Sequence, residues 1–168
     1  MTFHTLGLSA PLLDAIDAMG YTTPTPIQAK AIPFIVKGTD VLGIAQTGTG
    51  KTAAFALPIL EEFLQFPKRP LPNAPRALIL APTRELAQQI FEAIDGFAQN
   101  TSIQSAVAYG GVSIVTQTKA LETGVDILVA TPGRLMDHMR QKTVDLSRLE
   151  CLVLDEADRM LDMGFVKD

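Results

Sequence analysis

Five short apolar runs, rich in β-branched residues, recur along this chain of 168 residues, and segments with helical spacing separate most of them. The runs cover residues 40–44, 77–80, 103–108, 126–129 and 151–154. Strands that are apolar on both faces and alternate with helices are typical of an α/β domain with a mainly parallel sheet. The chain is too short for two well-built domains. The sequence therefore predicts one α/β domain with helices on both faces of the sheet.

Three helix starts are marked by capping residues. From Thr83 onward, apolar residues recur every three or four positions, which predicts an amphipathic helix with Thr83 as its N-cap. Thr25-Pro26 and Thr131-Pro132 each place a capping residue before a proline at the first helical position.

Charge and cysteine content limit the classes of function. With 14 Lys+Arg against 18 Asp+Glu, the formal charge is -4. A field of this sign repels polyanions, so any contact with nucleic acid must be local. The single cysteine cannot form an intramolecular disulfide, which predicts a reducing, cytoplasmic location. No run approaches the roughly 20 apolar residues of a membrane span, so we expect no membrane contact.

The strongest chemical signal follows the first apolar run and opens a helical segment. Its glycines let successive N–H groups converge on phosphate oxygens, and the helix N-terminus adds about half a positive charge. We expect Lys51 to reach the terminal phosphates and the Thr52 hydroxyl to bind Mg²⁺. The alternative is an ordinary glycine-rich turn, and the general pattern has Gly where this chain has Ala45. The predicted phosphate loop comprises Ala45, Gln46, Thr47, Gly48, Thr49, Gly50, Lys51 and Thr52.

A second chemical signal, Asp155-Glu156-Ala157-Asp158, directly follows the last apolar run. A carboxylate at the carboxyl end of a parallel strand faces the crevice where α/β sheets bind ligands. We therefore expect Asp155 to hold Mg²⁺ through water, and Glu156 to orient or deprotonate an attacking water. Taken alone, the same four residues could be a solvated helix start.

Together these motifs resemble the DEAD-box ATP-dependent RNA helicases, whose name spells residues 155–158. That family also has Ala at the position of Ala45. The chain resembles the bacterial RhlE-like branch of the family most closely in residues 155–165 and in Leu6-Gly7-Leu8. The resemblance implies a RecA-like P-loop fold, with ATP and Mg²⁺ as cofactors.

Residues 20–28 resemble the Q motif of this family, and the aromatic Phe3 lies upstream of it, as in the family. The resemblance implies that Gln28 reads the adenine edge and that Phe3 stacks on the ring. Tyr21 and Thr23 belong to the same nucleotide-binding motif. A side-chain amide satisfies adenine's donor and acceptor together, which favours ATP over GTP.

Three further segments resemble the motifs with which the family contacts RNA. Each lies where a strand ends and a helix begins, so N–H groups, hydroxyls and arginines can meet phosphates without reading bases. Taken singly, each could be an ordinary helix cap. These predicted RNA contacts are Pro82, Thr83, Arg84, Glu85, Gly110, Gly111, Thr131, Pro132, Gly133 and Arg134.

The resemblance divides the chain into a Q-motif region, residues 1–30, and an incomplete first RecA-like domain, residues 31–168. It implies that the strand carrying a Ser-Ala-Thr motif and the second RecA-like domain are absent, and that Asp158 couples the two domains. The sheet is then expected to have an open central slot. We expect a longer natural protein to fill it, or an exchange of elements that makes a dimer.

The predicted function is RNA-stimulated ATP hydrolysis coupled to local unwinding or remodelling of RNA. One alternative is a module that binds nucleotide and RNA without hydrolysis when the second domain is absent. A small-molecule kinase would use the same phosphate loop, but it would also need a lid and an acceptor pocket that the sequence does not show. His4 and His138 have no partners at metal-ligand spacing.

Overall fold

The computed structural model of the protein describes residues 1–165. It divides into two compact units, Met1–Lys68 with Ala93–Ile103, and Arg69–Glu92 with the chain from Gln104 onward. The last three residues of the predicted domain lie outside the described part. The predicted boundary at residue 30 falls inside the helix Pro26–Val36, so the Q-motif region continues directly into the first unit.

The first unit is helical. It contains a 3-10 turn, Phe3–Thr5, and the helices α1 (Ala10–Ala18), α2 (Pro26–Val36) and α3 (Lys51–Gln65), and it shares α4 (Arg84–Ala98) with the second unit. α2 and α1 both pack on α3. α2 begins as predicted, because Thr25 and Gln28 cap each other's backbone N–H groups in a capping box.

The predicted strand at residues 40–44 does not form. These residues have no regular structure, and Leu42 and Ile44 are each 88% exposed. A central strand needs hydrogen-bonded neighbours on both edges, and none of the described strands pairs with this segment. Apolar composition alone was therefore insufficient to predict a strand here.

The second unit is built on a four-stranded parallel sheet in the order β2-β3-β1-β4. The other four predicted runs form its strands: β1 (Ala77–Leu80), β2 (Ser105–Ala108), β3 (Ile127–Ala130) and β4 (Cys151–Leu154). Among the described residues, this unit also contains the first part of α4 and the helices α5 (Ile114–Thr123), α6 (Pro132–Arg140) and α7 (Ala157–Asp162). The predicted α/β class with a parallel sheet and surrounding helices is thus confirmed.

Burial divides the sheet into a covered centre and an open edge. β1 and β3 are buried almost throughout, and Leu78 and Leu128 pack in a core with Leu121 of α5 and Leu135 of α6. β4 pairs with β1 on one side, and its Leu152 and Leu154 are 57% and 52% exposed.

Among the described residues, no helix is long and apolar enough to cross a membrane.

Candidate functional site

The segments that follow the four strands lie at one edge of the sheet. The strands are parallel, and their first residues are in register. Their carboxyl ends therefore meet at the same edge, where open α/β sheets bind ligands. Four predicted segments begin there: 82–85 after β1, 110–111 after β2, 131–134 after β3 and 155–156 after β4.

Three of these segments surround a cavity of about 560 Å³ in the second unit. The structure thus brings together the three segments predicted to contact RNA. Asp137, Arg140 and Phe165 also border the cavity, although none of them belongs to a motif that the sequence indicates. The lining residues are Pro82, Arg84, Gly110, Thr131, Pro132, Gly133, Arg134, Asp137, Arg140 and Phe165.

Three predicted contact residues do not line this cavity. Thr83 caps α4, because its Oγ1 accepts a hydrogen bond from the N–H of Leu86 at 3.2 Å. Glu85 is an exposed residue in the first turn of α4. Gly111 has a φ of +84° and packs against Arg84. A Cβ at this position would lie 3.0 Å from Arg84 Nη1, so the glycine leaves room for the arginine side chain.

The cavity wall carries three arginines and one carboxylate. Asp137 Oδ2 lies 3.6 Å from Arg134 Nε, and its Oδ1 lies 3.4 Å from Arg140 Nη1. Arg84, the third arginine, is exposed on the first turn of α4. The cavity is therefore locally cationic in a chain of net charge -4.

His138, to which the sequence analysis gave no role, is completely buried on α6. Its Nδ1 lies 2.7 Å from Thr143 Oγ1, and its Nε2 lies 3.2 Å from Gln117 Oε1. Burial lowers the pKa of His138 below its ordinary value of 6.5. The Arg134 guanidinium lowers this pKa further, and Asp137 opposes the shift. The ring is neutral at pH 7.

We expect the free energy of unfolding to fall as the pH drops below about 6.5, because the unfolded chain then binds a proton that folded His138 resists. Above that pH the imidazole is neutral in both states. Urea unfolding at about pH 7.5 and pH 5.5 tests this in the wild type and in His138→Gln. The stability difference between the two proteins should shrink at the lower pH. An unchanged difference would contradict the assignment.

Asp155 and Glu156 are fixed by the end of β4. The N–H of Asp155 donates to Leu80 O at 2.9 Å, and Asp155 Oδ1 accepts from the N–H of Glu156 at 3.0 Å. Glu156 has a left-handed backbone with φ +50° and precedes α7. Such strain in a residue other than glycine is stored at functional sites. Asp158 is exposed on α7.

The phosphate loop has the backbone that its glycines predict. Gly48 and Gly50 have φ values of +80° and +85°, and Gly50 is the N-cap of α3. Thr49 Oγ1 donates to Gln46 O at 2.6 Å, which closes the turn. Lys51 and Thr52 are the first residues of α3, where unpaired N–H groups suit an anion.

The Q-motif glutamine lies against this loop. Gln28 Nε2 donates to Gly50 O at 3.1 Å, and Gln28 Oε1 accepts from the N–H of Thr25 at 2.9 Å. A Cβ on Gly50 would collide with Gln28 Nε2. Gln28 is only 1% exposed, so its predicted contact with adenine requires this packing to open.

Phe3 is not placed as the resemblance implies. Its ring is 2% exposed and meets Tyr21 edge to face, with centroids 6.4 Å apart. Tyr21 in turn meets Phe97 at 5.7 Å. The apolar ring joins the core of the first unit because burial stabilises it, so stacking on a base would require Phe3 to leave this cluster. Thr23 is exposed in the loop before α2.

The Mg²⁺ candidates are oxygen donors that suit this ion, the Thr52 hydroxyl and the Asp155 carboxylate. Among the described residues there is no cluster of three or more His, Cys, Asp or Glu side chains that could hold a metal.

Comparisons with known proteins match the chain to helicases. A DEAD/DEAH box helicase model matches residues 25–168. The ATP-dependent RNA helicase DeaD of Escherichia coli (strain K12) is 52% identical over 99% of this chain. The ATP-dependent rRNA helicase rrp3 of Aspergillus oryzae is 50% identical over 98% of it. The chain spans 26% of the first relative and 34% of the second.

A solved structure supports the same conclusion. The RNA helicase Prp28 from Chaetomium thermophilum, bound to ADP, matches with a TM-score of 0.90 and 43% sequence identity. The match covers 98% of this chain and 40% of that one. With the phosphate loop before α3 and the Asp-Glu pair after β4, these matches show that the chain belongs to the DEAD/DEAH box helicase family.

Proposed function

We propose that this chain supplies the ATP site and part of the RNA surface of an ATP-dependent RNA helicase. ATP hydrolysis in the complete protein is stimulated by RNA and coupled to local unwinding or remodelling. The observation that carries the proposal is the cationic cavity at the carboxyl edge of the sheet, where three separate segments meet. A small-molecule kinase has no need of such a cationic surface.

RNA is bound through its phosphates. Arg84 and Arg134 are the cationic contacts in the proposal, and the N-terminal backbone of α6 and the Gly110 backbone complete the surface. Because these groups read no base edges, the binding is independent of sequence. Its affinity falls as salt rises, since each neutralised phosphate releases counterions.

ATP is held by the first unit. In the proposal the loop from Ala45 to Gly50 surrounds the phosphates, Lys51 pairs with the terminal ones, and Gln28 selects adenine. The positive φ values of Gly48 and Gly50 and the open N-terminus of α3 support this role. Tyr21 and Thr23 border the base, and Phe3 joins them if its cluster opens.

Hydrolysis depends on the groups at the end of β4. Glu156 orients the attacking water or takes its proton, and its left-handed backbone conformation follows directly after β4. Thr52 and Asp155 would hold Mg²⁺, Asp155 through water, and the bound ion would offset negative charge on the phosphates.

The rest of the natural protein completes the enzyme. The relatives named above are three to four times as long as this chain, which leaves room for a second RecA-like domain that Asp158 contacts. β4 is the outermost of the described strands on its side of the sheet, so a further strand, from the same protein or by exchange with another copy, would pair along this edge and not in a central slot. The single cysteine suits a reducing cytoplasm.

The experiment is an ATPase assay on the complete protein, with and without single-stranded RNA. We expect RNA to raise the rate, inorganic phosphate to be the product, and Arg84→Ala with Arg134→Ala to raise the RNA concentration for half-maximal stimulation about tenfold or more. The exposed Lys119→Ala on α5 is the control for a lost surface cation.

Three outcomes would contradict the proposal. No hydrolysis with or without RNA would favour the non-hydrolysing nucleotide-binding module, and phosphate transfer to a metabolite would favour the kinase. An unchanged half-maximal RNA concentration in the double arginine variant would show that the cavity is not part of the RNA-binding surface.

A further inference from the structure

The exposed arginine of the cavity rests on an aromatic ring. The guanidinium carbon of Arg84 lies 5.0 Å from the centroid of Tyr109, within the range of a cation–π contact. The Tyr109 hydroxyl donates to Gln88 Oε1 at 2.9 Å. Gln88 lies one turn beyond Arg84 on α4, so the helix that carries the arginine also fixes the ring. Gly111 leaves room for Arg84 on another side.

The second arginine is held by a buried amide. Gln117 of α5 is 9% exposed, and its Oε1 accepts from Arg134 Nη1 at 3.0 Å. Arg134 Nη1 also donates to Val112 O at 3.0 Å. Gln117 Nε2 donates to the carbonyl oxygen of Tyr109 at 3.0 Å. One amide therefore ties the backbone beneath the first arginine to the side chain of the second.

The orientation of this amide follows from its neighbours. Arginine can only donate, so the Gln117 atom facing Arg134 must be the oxygen. His138 Nε2 faces the same oxygen and therefore carries the proton. His138 Nδ1 then accepts from Thr143 Oγ1 at 2.7 Å. Each polar atom of the amide thus has a partner of the correct type, and a flipped amide would place donors against donors.

We propose that Tyr109 and Gln117 are positioning residues that hold Arg84 and Arg134 in place for contact with RNA phosphates. The proposal rests on the proposed function of the cavity. Neither residue needs to touch RNA, since each acts through the arginine it contacts. An arginine that is ordered before binding loses less side-chain freedom when it meets a phosphate, an advantage of about threefold to tenfold in affinity for each arginine.

The test measures RNA affinity in the complete protein, by fluorescence anisotropy of a labelled single-stranded oligouridylate. We expect Tyr109→Leu to weaken binding about threefold to tenfold, and Tyr109→Phe, which keeps the aromatic face, to retain most of the affinity. The slope of log affinity against log salt should stay unchanged in Tyr109→Leu, whereas Arg84→Ala should reduce it by about one.

Double variants separate positioning from general damage. Tyr109→Leu should have no further effect on RNA affinity in an Arg84→Ala background, yet should keep its effect in an Arg134→Ala background. Gln117→Leu should weaken binding in the wild type and have no effect when both arginines are absent. The exposed Gln89→Leu on α4 is the matched control, and thermal melting with ATP affinity verifies folding.

The possible failures can be told apart. If neither arginine variant weakens binding, the cavity is not the RNA surface, and both the proposed function of the cavity and this proposal are wrong. If the arginine variants weaken binding but the Tyr109→Leu effect persists in Arg84→Ala, the positioning proposal alone is overturned. If Gln117→Leu does not fold, the comparison of Tyr109→Leu in the wild type and in the Arg84→Ala background still tests the positioning proposal.

Discussion

Replacing Glu156 with glutamine is expected to abolish ATP turnover in the complete protein while leaving ATP binding intact. Loss of a positioned general base lowers a rate by about 10² to 10⁴-fold. The amide of glutamine has the same shape as the carboxylate but cannot take a proton at neutral pH. Phosphate release at saturating RNA measures turnover, and titration with a fluorescent ATP analogue measures affinity.

The structure indicates that this substitution will not unfold the protein. Glu156 makes one side-chain ion pair among the described contacts, with Arg159 at 3.3 Å, and Arg159 is 56% exposed. Exposed pairs of this kind contribute about 0 to 1 kcal/mol. Glutamine tolerates the left-handed backbone as poorly as glutamate does, so the strain is unchanged. The melting temperature should therefore move little.

Two variants control for the interpretation. Asp162→Asn removes an exposed carboxylate from the same helix α7 and should hydrolyse ATP normally. Lys51→Ala removes the cation from the phosphate loop and should weaken ATP binding itself. Hydrolysis by Glu156→Gln at the normal RNA-stimulated rate would show that the carboxylate is not the base.

Local signals in the sequence predicted most elements of the fold. Thr25 and Thr83 cap helices as expected, and four apolar runs form the parallel sheet. β3 begins one residue later than predicted, at Ile127, and the Asp126 carboxylate accepts a hydrogen bond from Gln104 N–H at 2.9 Å. These signals act over a few residues, and a single sequence contains them in full.

The features that the local sequence does not indicate depend on distant partners. Residues 40–44 are as apolar as the other runs, yet a strand requires a neighbour that the described part does not provide. An aromatic residue near the chain start can stack on a base or enter a core, and Phe3 enters the core with Tyr21. Gln117 is eight residues from Tyr109 and 17 from Arg134, and nothing in its local sequence indicates either contact.

The amino ends of the strands contain a further feature that the sequence analysis missed. Arg76, Asp126 and Glu150 each precede a strand, and those strands begin in register, so the three residues lie side by side in the order Asp126, Arg76, Glu150. Arg76 is 6% exposed and Asp126 is 3% exposed. Burial raises the pKa of Asp126, while the Gln104 backbone and Arg76 oppose the rise.

Arg76 holds this row together. Its Nε donates to Glu150 Oε1 and its Nη2 donates to Glu150 Oε2, each at 3.0 Å, which makes a two-bond fork. We expect Arg76→Met to lower the free energy of unfolding by about 3 kcal/mol, because two carboxylates then lose their counter-charge. The Glu150 side chain is 31% exposed, which keeps the loss at the lower end of the range for buried pairs.

Urea unfolding measures this loss, and Arg140→Met is the matched control. Arg140 is 68% exposed in its pair with Asp137, so that substitution should lower stability by less than about 1 kcal/mol. Arg76→Lys keeps the charge without the two-bond fork and should fall between the two. Equal losses in Arg76→Met and Arg140→Met would show that the row contributes no more than a surface pair. The row lies at the amino ends of the strands, and the cavity lies at their carboxyl ends. Folded Arg76→Met should therefore keep its RNA affinity, so that the loss of stability can be measured without a change in binding.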